Sequence, residues 1–87
     1  MFEVEWVQEA VDELAELWMT GDSLERQSLT GSTYSLDQEL RTDPFRNSES
    51  REGEVRIMFA ESLGVLFEVD VDQERVWILH IWKVRSG

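Results

Sequence analysis

The sequence contains no cysteine, and it has only one proline and one histidine. Without cysteine the chain can form no disulfide framework, no thiolate zinc site and no cysteine nucleophile. The lone histidine, His80, has no second ligand at a useful spacing, and no phosphate-binding glycine loop or serine-histidine-aspartate order is present. We therefore expect neither a metal nor a cofactor. The lack of disulfides fits a reducing compartment, so we expect a cytoplasmic protein.

Long hydrophobic runs are also missing, since no apolar stretch approaches the ~18 residues that a membrane span needs. The first ten residues carry acids and no Lys or Arg, which is not typical of a signal peptide. Hydrophobic residues nevertheless make up 41% of the 87 residues and aromatic residues 10%, enough to bury a core. We expect one folded domain over residues 1–87 and no membrane partner.

Basic residues are scarce, because eight Lys and Arg face nineteen Asp and Glu, for a formal charge of −11. Proteins that bind nucleic acid without sequence preference neutralise phosphates with Lys and Arg, so a nucleic-acid partner is not expected. Residues 1–25 hold eight of the acidic residues and no basic residue, whereas the charged residues after Glu74 are all basic. There are two interpretations. Either the acidic residues serve only to keep the protein soluble, or the basic residues after Glu74 mark a partner site.

The first half of the chain changes its hydrophobic period from two to that of a helix. Apolar and acidic residues alternate over residues 2–6, which predicts a strand. Apolar residues at spacings of four, three and four then predict a helix over residues 7–20. Asp22 and Glu25 have the spacing of a capping box, so a second helix should begin directly after Asp22. It should end before Pro44, and the two helices should form an antiparallel pair.

The second half predicts a polar loop followed by three strands. Residues 43–53 form a mostly polar segment. In residues 55–59 and 65–71 every second residue is apolar, as in a strand with one buried face, and residues 76–84 are apolar on both faces. Gly64 is placed to take a positive φ in the first hairpin turn. The sequence therefore predicts an α+β domain: a strand, a two-helix hairpin and a three-stranded antiparallel meander, with the helices packed on one face of the sheet.

The strand register decides which side chains face the helices. Pairing Ile57 with Phe67, and Asp70 with Arg75, assigns alternate residues of the three strands to that face. We expect Phe67, Ile78 and Trp18 to be buried between the sheet and the helices. The residues assigned to the helix face are Val55, Ile57, Phe59, Val65, Phe67, Val69, Val76, Ile78, His80 and Trp82.

The opposite face is too apolar for a solvated surface. It carries an apolar patch of Trp77, Leu79 and Ile81, together with Met58, Leu66 and Glu68, and the cations Arg56, Lys83 and Arg85 form its rim. Exposed apolar patches usually mark interfaces. The patch is covered by the chain's own first strand, by a second copy, or by a partner segment that is acidic or amphipathic to suit the cationic rim.

The order of strand, helix, helix and meander resembles the RelE/ParE superfamily of bacterial toxins from type II toxin–antitoxin pairs. The opening FEVEW resembles the first strand of that family, and LDQELRTDPFRNSESREGEVRIMF resembles the end of its second helix and the entry into its meander. The segment GVLFEVDVDQERVWILHIWKVR resembles its last hairpin. The resemblance spans nearly the whole chain and implies the RelE/ParE-like fold.

The resemblance also implies two possible activities. RNA-cleaving members use a basic cluster on the sheet and a C-terminal tyrosine or histidine. Arg56 and Arg85 match two of the basic positions, whereas Met58 and Gly64 stand at two others, and the later tyrosine or histidine has no counterpart. Cleavage needs charge stabilisation and proton transfer together, so the pattern argues against a ribonuclease. ParE-like members block gyrase by binding, which Lys83 and Arg85 fit.

Three functions therefore stay open. The leading hypothesis is a toxin-like component that acts by protein–protein binding, with an antitoxin or a second copy as partner and a target such as gyrase. Its expected partner-binding residues are Arg56, Trp77, Leu79, Ile81, Lys83 and Arg85, and the catalytic candidates are Arg56 and Arg85. The alternatives are an mRNA endoribonuclease of the same superfamily and a stand-alone interaction module without toxicity.

Overall fold

The chain folds as an α+β domain with a five-stranded mixed sheet, and the computed structural model describes residues 1–84. The strand order is β1-β5-β4-β3-β2; β1 runs parallel to β5 and the other pairs are antiparallel. The elements are β1 (Glu3–Trp6), α1 (Gln8–Thr20), α2 (Ser23–Thr42), β2 (Ser48–Glu52), β3 (Val55–Ala60), β4 (Leu63–Asp70) and β5 (Arg75–Lys83). The predicted fold class is confirmed.

Both helices begin and end close to the predicted positions. The capping box at the start of α2 is present, because the Glu25 amide donates to Asp22 Oδ1 at 2.8 Å and the Asp22 amide donates to Glu25 Oε1 at 3.2 Å. The helix runs without a break through Gly31 and stops before Pro44. No helix within residues 1–84 is both long and apolar enough to cross a membrane.

The predicted polar loop over residues 43–53 is wrong in its second half, where β2 forms. Its residues are all polar and pair only with β3, with a register shift between Ser50 and Glu52. An edge strand in solvent needs no apolar face, so it leaves no periodic signal in the sequence. The charges and the bulge protect this exposed edge from pairing with other chains.

The predicted register of β3 on β4 is wrong by one residue, because Ile57 lies opposite Leu66 rather than Phe67. The turn is shorter than expected. Ala60 pairs with Leu63, and Glu61, not Gly64, takes the positive φ of 56°. A slip of one residue moves every side chain of a strand to the other face. Met58 and Arg56 therefore lie on the helix side.

A hydrogen bond between α2 and this turn accounts for the tight connection. Ser32 is fully buried in α2, and its hydroxyl donates to Glu61 Oε2 at 2.8 Å. A buried hydroxyl without a partner costs about 1–3 kcal/mol, so the turn is fixed where it can supply an acceptor. The small Ser32 thus anchors the β3–β4 turn.

The register of β5 on β4 begins as predicted, with Asp70 opposite Arg75, and then shifts between Leu66 and Phe67. Phe67 pairs with Ile78 whereas Leu66 pairs with His80, so Leu79 is the extra residue of a β-bulge. The predicted faces are therefore wrong after the bulge, and the residues that change sides are His80, Ile81, Trp82 and Lys83.

The core lies between the sheet and both helices. Phe67 and Ile78 are fully buried, as predicted, whereas Trp18 is 44% exposed and lies outside the core. The buried apolar residues that pack together are Ala10, Leu29, Leu36, Leu40, Met58, Leu63, Val65, Phe67, Val69, Val76, Ile78 and Ile81.

Truncating Phe67 should remove most of the stability of the domain. We expect Phe67→Ala to lower the free energy of unfolding by about 3–5 kcal/mol, because it leaves a cavity at the centre of the core. Phe59→Ala is the matched control, because Phe59 is 58% exposed, and it should cost no more than about 1.5 kcal/mol. Urea unfolding of both variants measures this, and equal losses would contradict the face assignment.

Candidate functional site

One face of the sheet points away from both helices, and we call it the open face. The observed register assigns it residues from three adjacent strands, and these residues lie outside the core cluster. Its apolar residues are Val55, Ile57, Phe59, Leu66, Trp77, Leu79 and Trp82. Trp77 and Leu79 lie where the sequence predicted them, whereas the whole apolar set of β3 was predicted on the other face.

A groove of about 490 Å³ crosses the open face between β5 and the end of β2. Val55, Leu66 and Leu79 form its apolar floor, and Arg51 and Glu52 form its polar border. The bulge supplies the room, because Leu79 is the extra residue on its strand. This groove can take an apolar side chain flanked by a polar or charged group.

An aromatic pair closes one end of the open face. The rings of Phe59 and Trp82 meet edge to face, with their centroids 6.4 Å apart, on either side of Gly64. A Cβ at Gly64 would come within 2.4 Å of the Trp82 ring. Gly64 is therefore required for close approach of the indole, not for the positive φ that the sequence predicted.

The bulge in β5 lies where this strand exchanges one neighbour for another. The last hydrogen bond from the β1 side runs from the Val7 amide to the Ile78 carbonyl oxygen at 3.0 Å. Beyond it, Glu13 of α1 accepts a hydrogen bond from the Ile81 amide at 3.1 Å and lies 3.2 Å from His80 Nδ1. A helix carboxylate thus replaces the missing strand.

Unbroken alternation would have placed His80 in the core and Ile81 on the open face. Burying an imidazole among apolar residues without a partner is costly, and so is exposing an isoleucine. The bulge avoids both, because Ile81 is 2% exposed in the core and His80 lies beside the carboxylates of Glu9 and Glu13. Ile81 is therefore removed from the predicted partner-binding patch.

Arg56 does not border the open face, which corrects its predicted position. It lies opposite Phe67, on the helix side. Its guanidinium donates to Ser48 Oγ at 2.8 Å and to the Ser48 carbonyl oxygen at 3.0 Å, and it lies 5.2 Å from the Phe45 ring centroid. Arg56 thus fastens Phe45 and the first residue of β2 to β3.

Lys83 also lies on the helix side, opposite Leu63, and forms an ion pair with Glu25 at the start of α2. The hydrogen bond from Lys83, followed by that from the Asp22 amide, lowers the pKa of the Glu25 carboxyl below its usual range. Arg85, the third cation of the predicted rim, lies outside the described residues. The structure thus places two of the three predicted rim cations, Arg56 and Lys83, on the helix side.

Two cations that the sequence did not single out for this site adjoin the open face. Arg75 lies 5.8 Å from the Trp77 ring centroid and forms an ion pair with Glu3 at 3.3 Å. Arg51, which was treated as part of a polar loop, borders the groove from β2. No sequence signal could have placed Arg51, because β2 has no apolar period. Glu52 and Glu68 balance these charges on the same surface.

Chemically, the open face is a surface for apolar contact and hydrogen bonding. Its three neighbouring strands supply aromatic and aliphatic side chains, and the bordering charges have both signs. Within residues 1–84 no group of three or more Asp, Glu or His side chains could hold a metal ion.

The structure is similar to solved structures of toxin–antitoxin proteins. A chain of the RelBE2 complex from Mycobacterium tuberculosis matches with a TM-score of 0.79 at 16% identity, covering 99% of this chain and 93% of that chain. A chain of the chromosomal ParDE system from P. aeruginosa matches with a TM-score of 0.73 at 17% identity, covering 98% of each. The isolated E. coli RelE toxin matches with a TM-score of 0.66 at 13% identity, covering 100% and 88%.

These matches show that the chain has the RelE/ParE-like fold, as the sequence predicted. At identities of 13–17% they show the fold alone. No family model matches the sequence, and a search of curated proteins finds no match.

Adding one methyl group at Gly64 should disturb the aromatic end of the open face. We expect Gly64→Ala to displace Trp82 and to cost about 1–3 kcal/mol through overpacking. Gly31→Ala is the matched control, because a Cβ there meets nothing within 4 Å, and it should stabilise α2 by about 0.5–1 kcal/mol. Near-ultraviolet circular dichroism and urea unfolding report both effects, and an unchanged Trp82 signal in Gly64→Ala would contradict the packing.

Removing Lys83 should raise the pKa of Glu25 toward the ordinary carboxyl range. Because the pKa is lowered in the folded state, this interaction stabilises the protein above about pH 4.3 and is lost as the pH falls through the folded value. We expect Lys83→Met to shift the Glu25 titration upward in carbonyl-detected NMR. Arg46→Met, which removes the remote partner of Glu39, should leave it unchanged, and an unshifted Glu25 in Lys83→Met would refute the assignment.

Proposed function

We propose that this chain is the toxin-like component of a toxin–antitoxin pair and that it acts by binding a protein rather than by cleaving RNA. The observation that carries the proposal is the orientation of β3. Its more apolar side, formed by Val55, Ile57 and Phe59, points away from the helices and continues across Leu66 to Leu79. Ile57 is already buried on this side, whereas Phe59 is left 58% exposed, and a binding partner would cover it.

The fold supports an antitoxin as one partner. The structures reported above include complexes named for a toxin and its antitoxin, RelBE2 and ParDE, and their chains match nearly the full length of this one. The inference of an antitoxin partner from those complexes rests on similarity of fold. The second partner is the target, and gyrase stays the first target to test because ParE-like toxins act on it by binding.

The positions of the cations favour binding over catalysis. Arg56 is bound to Ser48 and Phe45, and Lys83 is bound to Glu25, so neither is free to stabilise a phosphodiester on the open face. His80 lies on the open face opposite Leu66, where it is held beside Glu9 and Glu13 of α1. RNA cleavage needs both a stabilised charge and a proton-transfer group at one point, and Arg75, a cation that adjoins this face, is already paired with Glu3.

The proposed partner-binding residues are now Trp77 and Leu79, joined by Leu66 and by Arg51 at the border of the groove. Leu79 is the best single position to test, because it lies on the floor of the groove and is the extra residue of the bulge. A charge there would oppose apolar docking without removing a core side chain.

Induced expression in a bacterial host should arrest growth, and Leu79→Glu should relieve the arrest. The reason is that a buried, unpaired carboxylate would disrupt the apolar contact with the target. Val71→Glu is the control, because Val71 is an aliphatic residue that is 60% exposed and lies in the turn after β4, away from the groove, and this variant should stay toxic. Growth curves measure the effect, and circular dichroism of each purified variant verifies folding, with Leu79→Ser as a milder substitution.

Mapping of mRNA ends and a gyrase supercoiling assay then separate the mechanisms. We expect no new cleavage sites in mRNA and inhibition of supercoiling by the wild type but not by Leu79→Glu. Arrest accompanied by cleavage at defined sites would establish the ribonuclease instead. Arrest without supercoiling inhibition would exclude gyrase as the target, and the absence of any arrest would leave an interaction module without toxicity.

A further inference from the structure

The open face is not uniform along its strands, because its charged residues collect toward one end. On β4 the residues of this face follow one another in the order Asp70, Glu68, Leu66 and Gly64. Gly64 lies between the two rings of the aromatic pair. One end of the open face is therefore acidic and the other end is aromatic, and Leu66 lies between them.

Acidic residues outnumber basic residues at the acidic end. β1 and β2 continue the open face at its two edges, and the register places on it the acidic residues Glu3, Glu5, Glu52, Glu68 and Asp70. The basic residues there are Arg75, which is paired with Glu3, and Arg51 at the border of the groove. Glu5, Glu52 and Glu68 form no ion pair with any residue among 1–84.

Glu68 lies at the centre of the acidic end, in a row of residues that crosses the sheet. Val55 is opposite it on β3, and Trp77 is opposite it on β5. Directly opposed residues of neighbouring strands have Cβ atoms about 4.5–5.5 Å apart, so an apolar side chain flanks Glu68 on each side. Arg75 does not serve as its partner, because it is paired with Glu3 on the far side of β5.

The position of Glu68 constrains what can cover its neighbours. A partner that covers both Val55 and Trp77 must also cover Glu68, because Glu68 lies between them. A carboxylate that is removed from water without gaining a cation or hydrogen-bond donors is strongly unfavourable. The partner therefore has to bring positive charge to Glu68 together with apolar side chains for the residues around it.

We propose that the open face binds an extended segment of another protein in which basic residues are followed by apolar residues at every second position. Residues that share one face of a strand are about 6.8 Å apart, both on the segment and on β4. A Lys or Arg above Glu68 therefore brings an apolar residue above Leu66. The proposal rests on the proposed function, because it takes the open face as the surface that binds the target.

Charge excludes the other occupants of the open face. RNA and an anionic membrane surface would bring phosphate groups to the unpaired carboxylates of the acidic end and would be repelled. A second copy would bring the same excess of carboxylates, together with a further formal charge of −11. A basic segment of a different protein is the occupant that both the charges and the apolar side chains favour.

Three designed peptides of about nine residues test the proposal on the full chain. Each carries Leu at two successive inward-facing positions and Thr at the outward-facing positions. The two inward-facing positions before the Leu residues carry Lys in the first peptide, Gln in the second and Glu in the third. We expect the Lys peptide to bind at least about ten-fold more tightly than the Gln peptide, and the Glu peptide to bind most weakly. Added salt should weaken binding of the Lys peptide, and its amide shifts in NMR should map to β3, β4 and β5.

Variants of Glu68 then assign the contact. Glu68→Gln should lower the affinity for the Lys peptide to that for the Gln peptide, and Glu68→Lys should make the Glu peptide the tightest of the three. Glu16→Gln is the matched control, because it removes the same charge from an exposed position of α1 with no ion pair among residues 1–84, and it should bind as the wild type does. Circular dichroism verifies folding, and Glu5→Gln, at the exposed edge strand, should give a smaller loss in the same direction.

Equal binding of the three peptides, an unchanged preference in Glu68→Lys, displacement of the Lys peptide by RNA, or a wild-type dimer that Glu68→Lys dissociates would each overturn the proposal. The growth assay separates this outcome from failure of the proposed function. If Leu79→Glu relieves the arrest while Glu68→Lys stays toxic and the peptides bind alike, the basic partner is wrong and the toxin remains. If the wild type causes no arrest but the Lys peptide binds as expected, the basic partner is supported without a toxin.

Discussion

The change of neighbour along β5 is the constraint on which the arrangement of the core and the open face depends. Up to Ile78 the strand pairs with β1, and beyond it the edge is taken over by α1, whose Glu13 accepts from the Ile81 amide. The bulge at Leu79 absorbs the transition. Because the alternation restarts there, the core gains Ile81 and the open face gains Trp82, so one run of nine residues supplies both the core and the open face.

Most helices and strands could be predicted from the sequence because each has a local sequence signal. The periods of α1, β3 and β4, and the capping box of α2, depend on residues near one another in the chain. The face of each strand that packs against the helices was harder to predict. Alternation shows which residues of a strand share a face, but it does not show which of the two faces the helices cover. One residue fewer in the β3–β4 turn exchanged the faces of β3, and that turn is fixed by Ser32, which is distant in sequence.

The candidate site was therefore predicted in part. Trp77 and Leu79 lie on the open face because they precede the end of the bulge, whereas Ile81 and Lys83 follow it. Arg56 was assigned to the wrong face because the β3–β4 turn is one residue shorter than predicted. Arg51 could not be assigned to a face because β2 has no apolar period. Two cations predicted for the rim are instead used inside the fold, where Arg56 contacts Ser48 and Lys83 is paired with Glu25.

The parallel pairing of β1 with β5 joins the first strand of the chain to the last. Glu3 lies beside Arg75, and Trp6 lies beside Ile78, with the whole of both helices and three strands between them in sequence. β1 therefore has no strand to pair with until residues 75–78 have been synthesised. Any surface that spans β4 and β5 exists only after β5 is available.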